Sequence, residues 1–247
     1  MAETESARAE DRLIVALDVP TADEARELVA PLAGVLSFFK VGYELFIAEG
    51  LPFVRELLAA GNRVFLDLKI DDVDETVRRA VSRVAAEDGI QFLTIYGGRA
   101  TAQAALKACE GSSLKLLQVS ALTSLSDADL GEMGLVGEGL RFATREQFVI
   151  WRAQQSLAHC CHGIITSGKE AKPIRDAVGR DLIIVTPGIR PATAGTDEHA
   201  VPTTPGMAIG NGSDYLVVGR PITRADSPPD AARAILDEMQ EALDARS

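Results

Sequence analysis

With 247 residues, 47% of them hydrophobic, and no compositional break that marks a linker, the chain has the size of one large α/β domain with a full core. A formal net charge of -11 with no block of lysine or arginine argues against a nucleic-acid or anionic-membrane partner, while a few local cations still suffice to hold a small anionic substrate. Three cysteines, an N-terminus without the basic and apolar regions of a signal peptide, and no apolar run near the roughly 20 residues that span a bilayer predict a soluble protein of the reducing cytoplasm.

In chain order, an acidic tail to about residue 10, expected to fray, precedes eight alternations of short β-rich runs with stretches of helical period. The predicted strands are 13–18, 37–41, 64–69, 92–96, 114–120, 163–166, 182–186 and 215–218. The predicted helices are 22–32, 44–59, 73–86, 100–109, 145–158, 169–177, 205–210 and 230–243. Near-continuous apolar strands between amphipathic helices predict a parallel sheet covered on both faces, and eight repeats predict a single-domain (β/α)8 TIM barrel over residues 11–247. The competing open, doubly wound sheet would carry a Gly-rich turn after the first strand, where Asp18-Val19-Pro20-Thr21 stands instead. No short-period repeat or low-complexity tract is visible.

The segment 65–76 begins as an apolar strand and ends in closely spaced opposite charges. Strand alternation puts Asp67 and Lys69 on one face, with Asp72 just beyond the strand end. Charges on an interior strand are costly to desolvate unless they pair, so the pattern points to chemistry. The plain alternative is a buried ion-pair network with no reaction attached.

Barrel active sites form at the carboxyl ends of the strands. There the sequence places Asp18, Lys40, Asp67 with Lys69, Thr123 with Ser124, Arg190, and Gly219 with Arg220. Singly, each has a bland reading: Asp18 as a cap for the helix starting near Thr21, Thr123-Ser124 as a plain turn, residues 186–191 as a Pro/Gly connector. Jointly they gather at one end. Gly219 lets backbone amides approach an anion, and the Arg220 guanidinium has fork geometry for phosphate oxygens, where barrels commonly hold phosphate. Arg190 offers a second cation on a loop that can fold over a ligand.

With these residues in place, the chain resembles the orotidine 5′-phosphate decarboxylase family over nearly its full length. The resemblance runs from Leu17-Asp18 and Phe39-Lys40-Val41-Gly42, through Asp67-x-Lys69-x-x-Asp72 with Thr76 and Leu122-Thr123-Ser124, to residues 187–191 and 218–221. Asp-x-Lys-x-x-Asp alone would mark only a wider barrel superfamily. The resemblance implies that Asp18 and Lys40 bind ribose hydroxyls, that Thr123 with Ser124 lies near the pyrimidine, and that Arg190 and Gly219-Arg220 contact phosphate. It also implies that Asp72 and Thr76 reach the neighbouring subunit's site, hence a homodimer with shared active sites. Four positions depart from the family pattern: Tyr96 replaces a usual His, Asp74-Glu75 replace Pro-Asn, and Glu198 aligns with the Gln of a phosphate-gripping loop, where a carboxylate would repel a dianion.

The implied reaction removes carbon dioxide from a pyrimidine nucleotide without metal, pyridoxal or thiamine. Lys69 is the proton donor, and Asp67 disfavours the substrate carboxylate relative to a transition state whose charge moves toward Lys69. Two other enzyme-site readings and one non-enzymatic reading compete. The run His159-Cys160-Cys161-His162 looks like a zinc cluster, but falls where a helix enters a strand, so its side chains should diverge, and His199 is the only other histidine. A magnesium-dependent sugar-phosphate decarboxylase or hexulose-phosphate synthase would use the corresponding acids on a metal. A non-catalytic phosphometabolite-binding barrel draws on Tyr96 and Glu198.

Overall fold

A computed structural model describes residues 8–192 and 203–246. Eight strands, β1 (Leu13–Ala16), β2 (Phe38–Gly42), β3 (Arg63–Ile70), β4 (Ile90–Ile95), β5 (Lys115–Val119), β6 (Gly163–Ile165), β7 (Ile183–Thr186) and β8 (Tyr215–Val218), pair in parallel in sequence order. The barrel closes where Leu13 of β1 meets Leu216 of β8. Around it run α1 (Ala22–Leu32), α2 (Tyr43–Ala59), α3 (Asp74–Ala85), α4 (Arg99–Ala108), α5 (Asp127–Glu132), α6 (Arg145–Ala158), α7 (Ala171–Val178), α8 (Pro205–Gly210), α9 (Arg220–Thr223) and α10 (Pro228–Asp244).

The eight predicted strand–helix pairs are all present, and the open-sheet alternative falls because β1 and β8 are joined. Two short helices were not predicted. Six-residue α5 is too short to show a period. It is set by a capping box in which Ser126 accepts from the Asp129 N–H while the Asp129 carboxylate accepts from the Ser126 N–H. Four-residue α9 forms as the chain turns off β8 at Gly219, with Pro221 in its first turn. The stretch 44–59, predicted as one helix, breaks at Gly50 (φ 63°), ahead of Pro52. At residues 9–10, which the sequence assigns to the tail, Ala9–Asp11 forms a 3-10 turn, Ala9 is buried, and its N–H donates to Gln240 Oε1 on α10 at 2.9 Å.

Alternation divides the apolar residues between two layers. Outward-facing Val15, Phe39, Val41, Val64, Leu66 and Leu93 pack beneath the helices. Inward-facing Ile14, Phe38, Phe65, Phe92, Leu117 and Val185 fill the barrel. Its lower half is an aromatic plug: Phe92 meets Tyr215 edge-on at 4.9 Å and Phe65 at 5.9 Å, with Phe38 at 5.6 Å. The Arg63 guanidinium lies 4.7 Å over the Phe38 ring. With the lower half filled, the open space is left at the carboxyl ends of the strands.

Candidate active site

On β2 and β3 the inward face that carries Phe38 and Phe65 continues two residues later with Lys40 and Asp67. Both project into a cavity of about 250 Å³ at the strand ends. Lys40 is buried, and its Nζ donates to Asp18 Oδ1 at 2.8 Å and stands 3.8 Å from Asp67 Oδ2. Asp67 Oδ1 in turn accepts from Lys69 Nζ at 2.8 Å. The result is a chain of alternating charge, Asp18–Lys40–Asp67–Lys69, in which each buried charge has a partner. Gly42 leaves room for it: a Cβ there would come within 2.9 Å of Lys40 Nζ and 3.3 Å of Asp18 Oδ1.

Asp67 and Lys69 do share a side of the strand, but not through regular alternation. The β3–β4 register slips between Leu66 and Ile70, and Lys69 sits in the left-handed region at φ 43°. For a residue with a Cβ that conformation costs on the order of 1–3 kcal/mol and persists only where neighbours enforce it. From β4, Thr94 Oγ1 accepts the Lys69 N–H at 2.9 Å and donates to Asp67 Oδ1 at 2.9 Å. From the other side, the Tyr43 hydroxyl donates to the Leu68 carbonyl at 2.7 Å, and Lys69 Nζ lies 5.5 Å from the Tyr43 ring. Partial desolvation of the hydroxyl, and secondarily the Asp67 charge, pushes the Tyr43 phenol up, so it stays a donor at neutral pH.

Opposite this charged wall the cavity is bounded by Ala121, Leu122 and Thr123 after β5, Pro187 and Gly188 after β7, and Gly219 after β8. The Thr123 turn is anchored from outside: Arg145 donates to the carbonyls of Leu125 at 2.6 Å and Leu122 at 3.3 Å while pairing with Glu170 at 2.5 Å. Glu170 is buried and also accepts from Thr166 and Ser167. Burial alone would raise its carboxyl, but the hydrogen bonds from Arg145 and Ser167 outweigh that and hold it below the ordinary carboxylate range.

Of the predicted site residues, Asp18, Lys40, Asp67, Lys69, Thr123 and Gly219 therefore line one cavity. Ser124 is exposed on the turn beside it. Arg190 is half-buried, its N–H donating to the Thr203 carbonyl at 3.1 Å, and Arg220 is exposed at the start of α9. Neither guanidinium is among the cavity-lining groups. Asp72 and Thr76 are exposed, and within its own chain Asp72 is not joined to the Asp67–Lys69 pair. The chain leaves β3 at Ile70, and the Asp72 carboxylate turns back to accept the Val73 N–H at 2.6 Å. Tyr96 is half-buried, and its carbonyl, with that of Val119, accepts from Arg152, tying the ends of β4 and β5 together. Glu198 and His199 lie outside the described residues.

The His159–His162 run diverges. Cys160 is exposed, and burial pushes the Cys161 thiol up to about 12. The His162 Nδ1 accepts the Leu116 N–H at 3.1 Å. Reading the sequence missed Thr94, Tyr43, Arg145 and Glu170. Only Thr94 left a signal, as the next inward position after Phe92.

A closed parallel barrel with a lysine–carboxylate chain exposed in a cavity at its strand ends is the architecture of a barrel enzyme. The family model described as Orotidine 5′-phosphate decarboxylase / HUMPS family matches residues 11–235, and the chain belongs to that family. It is 44% identical over 232 residues to a protein named orotidine 5′-phosphate decarboxylase from Rhodopseudomonas palustris (strain BisB5), covering 94% of this chain and 96% of that protein. The likeness to the protein of the same name from Bradyrhizobium sp. (strain ORS 278) is 42% over 233 residues, covering 94% and 93%. Among solved structures, orotidine 5′-phosphate decarboxylase from Lactobacillus acidophilus superimposes with a TM-score of 0.79 at 34% identity, covering 92% of this chain and 98% of that one.

Proposed function

We propose that this protein decarboxylates orotidine 5′-monophosphate to uridine 5′-monophosphate in pyrimidine biosynthesis, without a cofactor, as a cytoplasmic homodimer. The observation that carries the reading is the 2.8 Å contact of Lys69 Nζ with Asp67 in a cavity that also presents Asp18, Lys40, Thr123 and Gly219, in a chain of this family. Asp18 and Lys40 suit the ribose hydroxyls, Thr123 with Ser124 the base, and Gly219 with Arg220 and Arg190 the phosphate. The pyrimidine carboxylate then meets Asp67. As the carbon–carbon bond breaks, carbon dioxide leaves, the electron pair stays on the ring carbon, and Lys69 Nζ delivers a proton to it.

Electrostatics favour that course. Asp67 opposes the substrate carboxylate, and the ammonium of Lys69 stands where negative charge develops. Phosphate and ribose contacts convert remote binding energy into orientation, so loss of the phosphate lowers turnover as well as affinity. Asp72 and Thr76, exposed on the β3–α3 side, are available to a second subunit. So are the apolar side chains of Tyr43, Ile47 and Val73, each exposed, by 50%, 79% and 69%. Mixing purified protein with orotidine 5′-monophosphate and following the ultraviolet change tests the reading. An unchanged spectrum overturns it.

A further inference from the structure

We infer that Thr94 is a positioning residue, whose hydroxyl holds Lys69 in the one backbone conformation that aims Nζ at Asp67. The inference rests on the decarboxylase reading for its kinetic consequence, and on geometry for the rest. Between Leu66 and Ile70, β3 advances four residues while its partner β4 advances two, from Leu93 to Ile95. The Lys69 N–H therefore points at no ladder carbonyl of β4, and a buried N–H without an acceptor is rare because it is costly. Thr94 Oγ1 supplies that acceptor at 2.9 Å. Its single proton goes to Asp67 Oδ1, also at 2.9 Å, so one hydroxyl fixes both the backbone of the proton donor and the carboxylate that orients its ammonium.

Thr94 is fully buried and does not line the cavity, so it acts through its neighbours and not on the substrate. A serine there keeps both hydrogen bonds. A valine keeps the shape and loses both.

The test compares wild type, Thr94→Val and Thr94→Ser by turnover of orotidine 5′-monophosphate and by crystal structure. Thr94→Val should lower kcat by about 10²-fold, the cost of a misplacement near 1 Å. Its KM should stay within about twofold, because the ribose and phosphate contacts are untouched. Thr94→Ser should stay within about threefold of wild type in kcat. In the crystal, Lys69 should leave the left-handed region and part from Asp67 in the valine variant only. A valine variant with kcat within about threefold of wild type, or a serine variant that falls as far as valine, overturns the inference. If the wild type does not turn over the nucleotide, the decarboxylase reading fails, and the crystal comparison still decides: a valine variant that keeps the Lys69 conformation and its Asp67 contact refutes the positioning role. Should Thr94→Val not fold, Thr94→Ala carries the same readouts.

Discussion

On β2, β3 and β4 the inward face carries an aromatic ring and, one pleat later, a polar group: Phe38 before Lys40, Phe65 before Asp67, Phe92 before Thr94. The lower layer is held by ring-on-ring packing, edge-on between Phe92 and both Phe65 and Tyr215. The upper layer is a chain of paired charges open to a cavity. Strand periodicity is the same in both, so the contrast teaches that alternation assigns a residue to the barrel interior and height along the strand decides whether it packs or reacts.

Exchanging one residue in each layer should separate the two roles. Lys69→Ala removes the proton donor and should lower turnover by at least 10²- to 10⁴-fold, with the thermal midpoint nearly unchanged. A variant that keeps a tenth of normal turnover would remove Lys69 from that role. Phe92→Ala, one layer below the polar rim, should destabilise by about 3–5 kcal/mol in denaturant titrations, while the folded fraction keeps its turnover. Equal loss of activity per folded molecule would show that the layers are not independent.

Lys69→Ala and Asp72→Asn should each be nearly inactive, yet a mixture should recover roughly a quarter of normal activity, since half of randomly exchanged dimers are mixed and each has one intact site of two. No recovery after verified subunit exchange would mean that Asp72 acts within its own chain.

Charge dependence sharpens the contrast further. Glu170 is held below the ordinary carboxylate range in the folded state, so its stabilising share is complete above that range and is lost as pH falls through the folded value. Glu170→Gln should therefore be less stable than wild type near neutral pH, by on the order of 2 kcal/mol, with the gap closing in acid. A gap unchanged in acid would deny Glu170 that role. The smallest expected effect is none: exhaustive chelation should leave turnover intact. Activity lost on chelation and restored by magnesium would move the protein to a metal-dependent sugar-phosphate reaction.

The outline of the barrel was legible in the sequence because each strand is a short, nearly unbroken apolar run and each long helix has its own period, both of which are local signals. The charged wall was legible for the same reason, since Asp18, Lys40, Asp67 and Lys69 sit at predicted strand ends. What escaped depends on pairings distant in sequence. No pattern near Arg145 announces that it grips carbonyls 20 and 23 residues away, or that Glu170 anchors it from 25. The register slip in β3 was equally hidden, because regular alternation and a bulge with left-handed Lys69 bring Asp67 and Lys69 to the same side of the strand. Five-residue β2 and six-residue β4 frame the slip, but neither reveals it alone.

Closure of the ring has a consequence for how the chain is made. Each strand pairs with its neighbours in sequence, and the pair that closes the ring joins β1 to β8, so one edge of β1 waits for β8. Roughly 200 residues separate the two, so at ~5–20 residues per second a ribosome takes about 10–40 s to deliver the missing partner. Through that interval the four residues of β1, all buried in the finished barrel, present an apolar, unpaired edge. During synthesis, the first strand to emerge is the last to be fully protected.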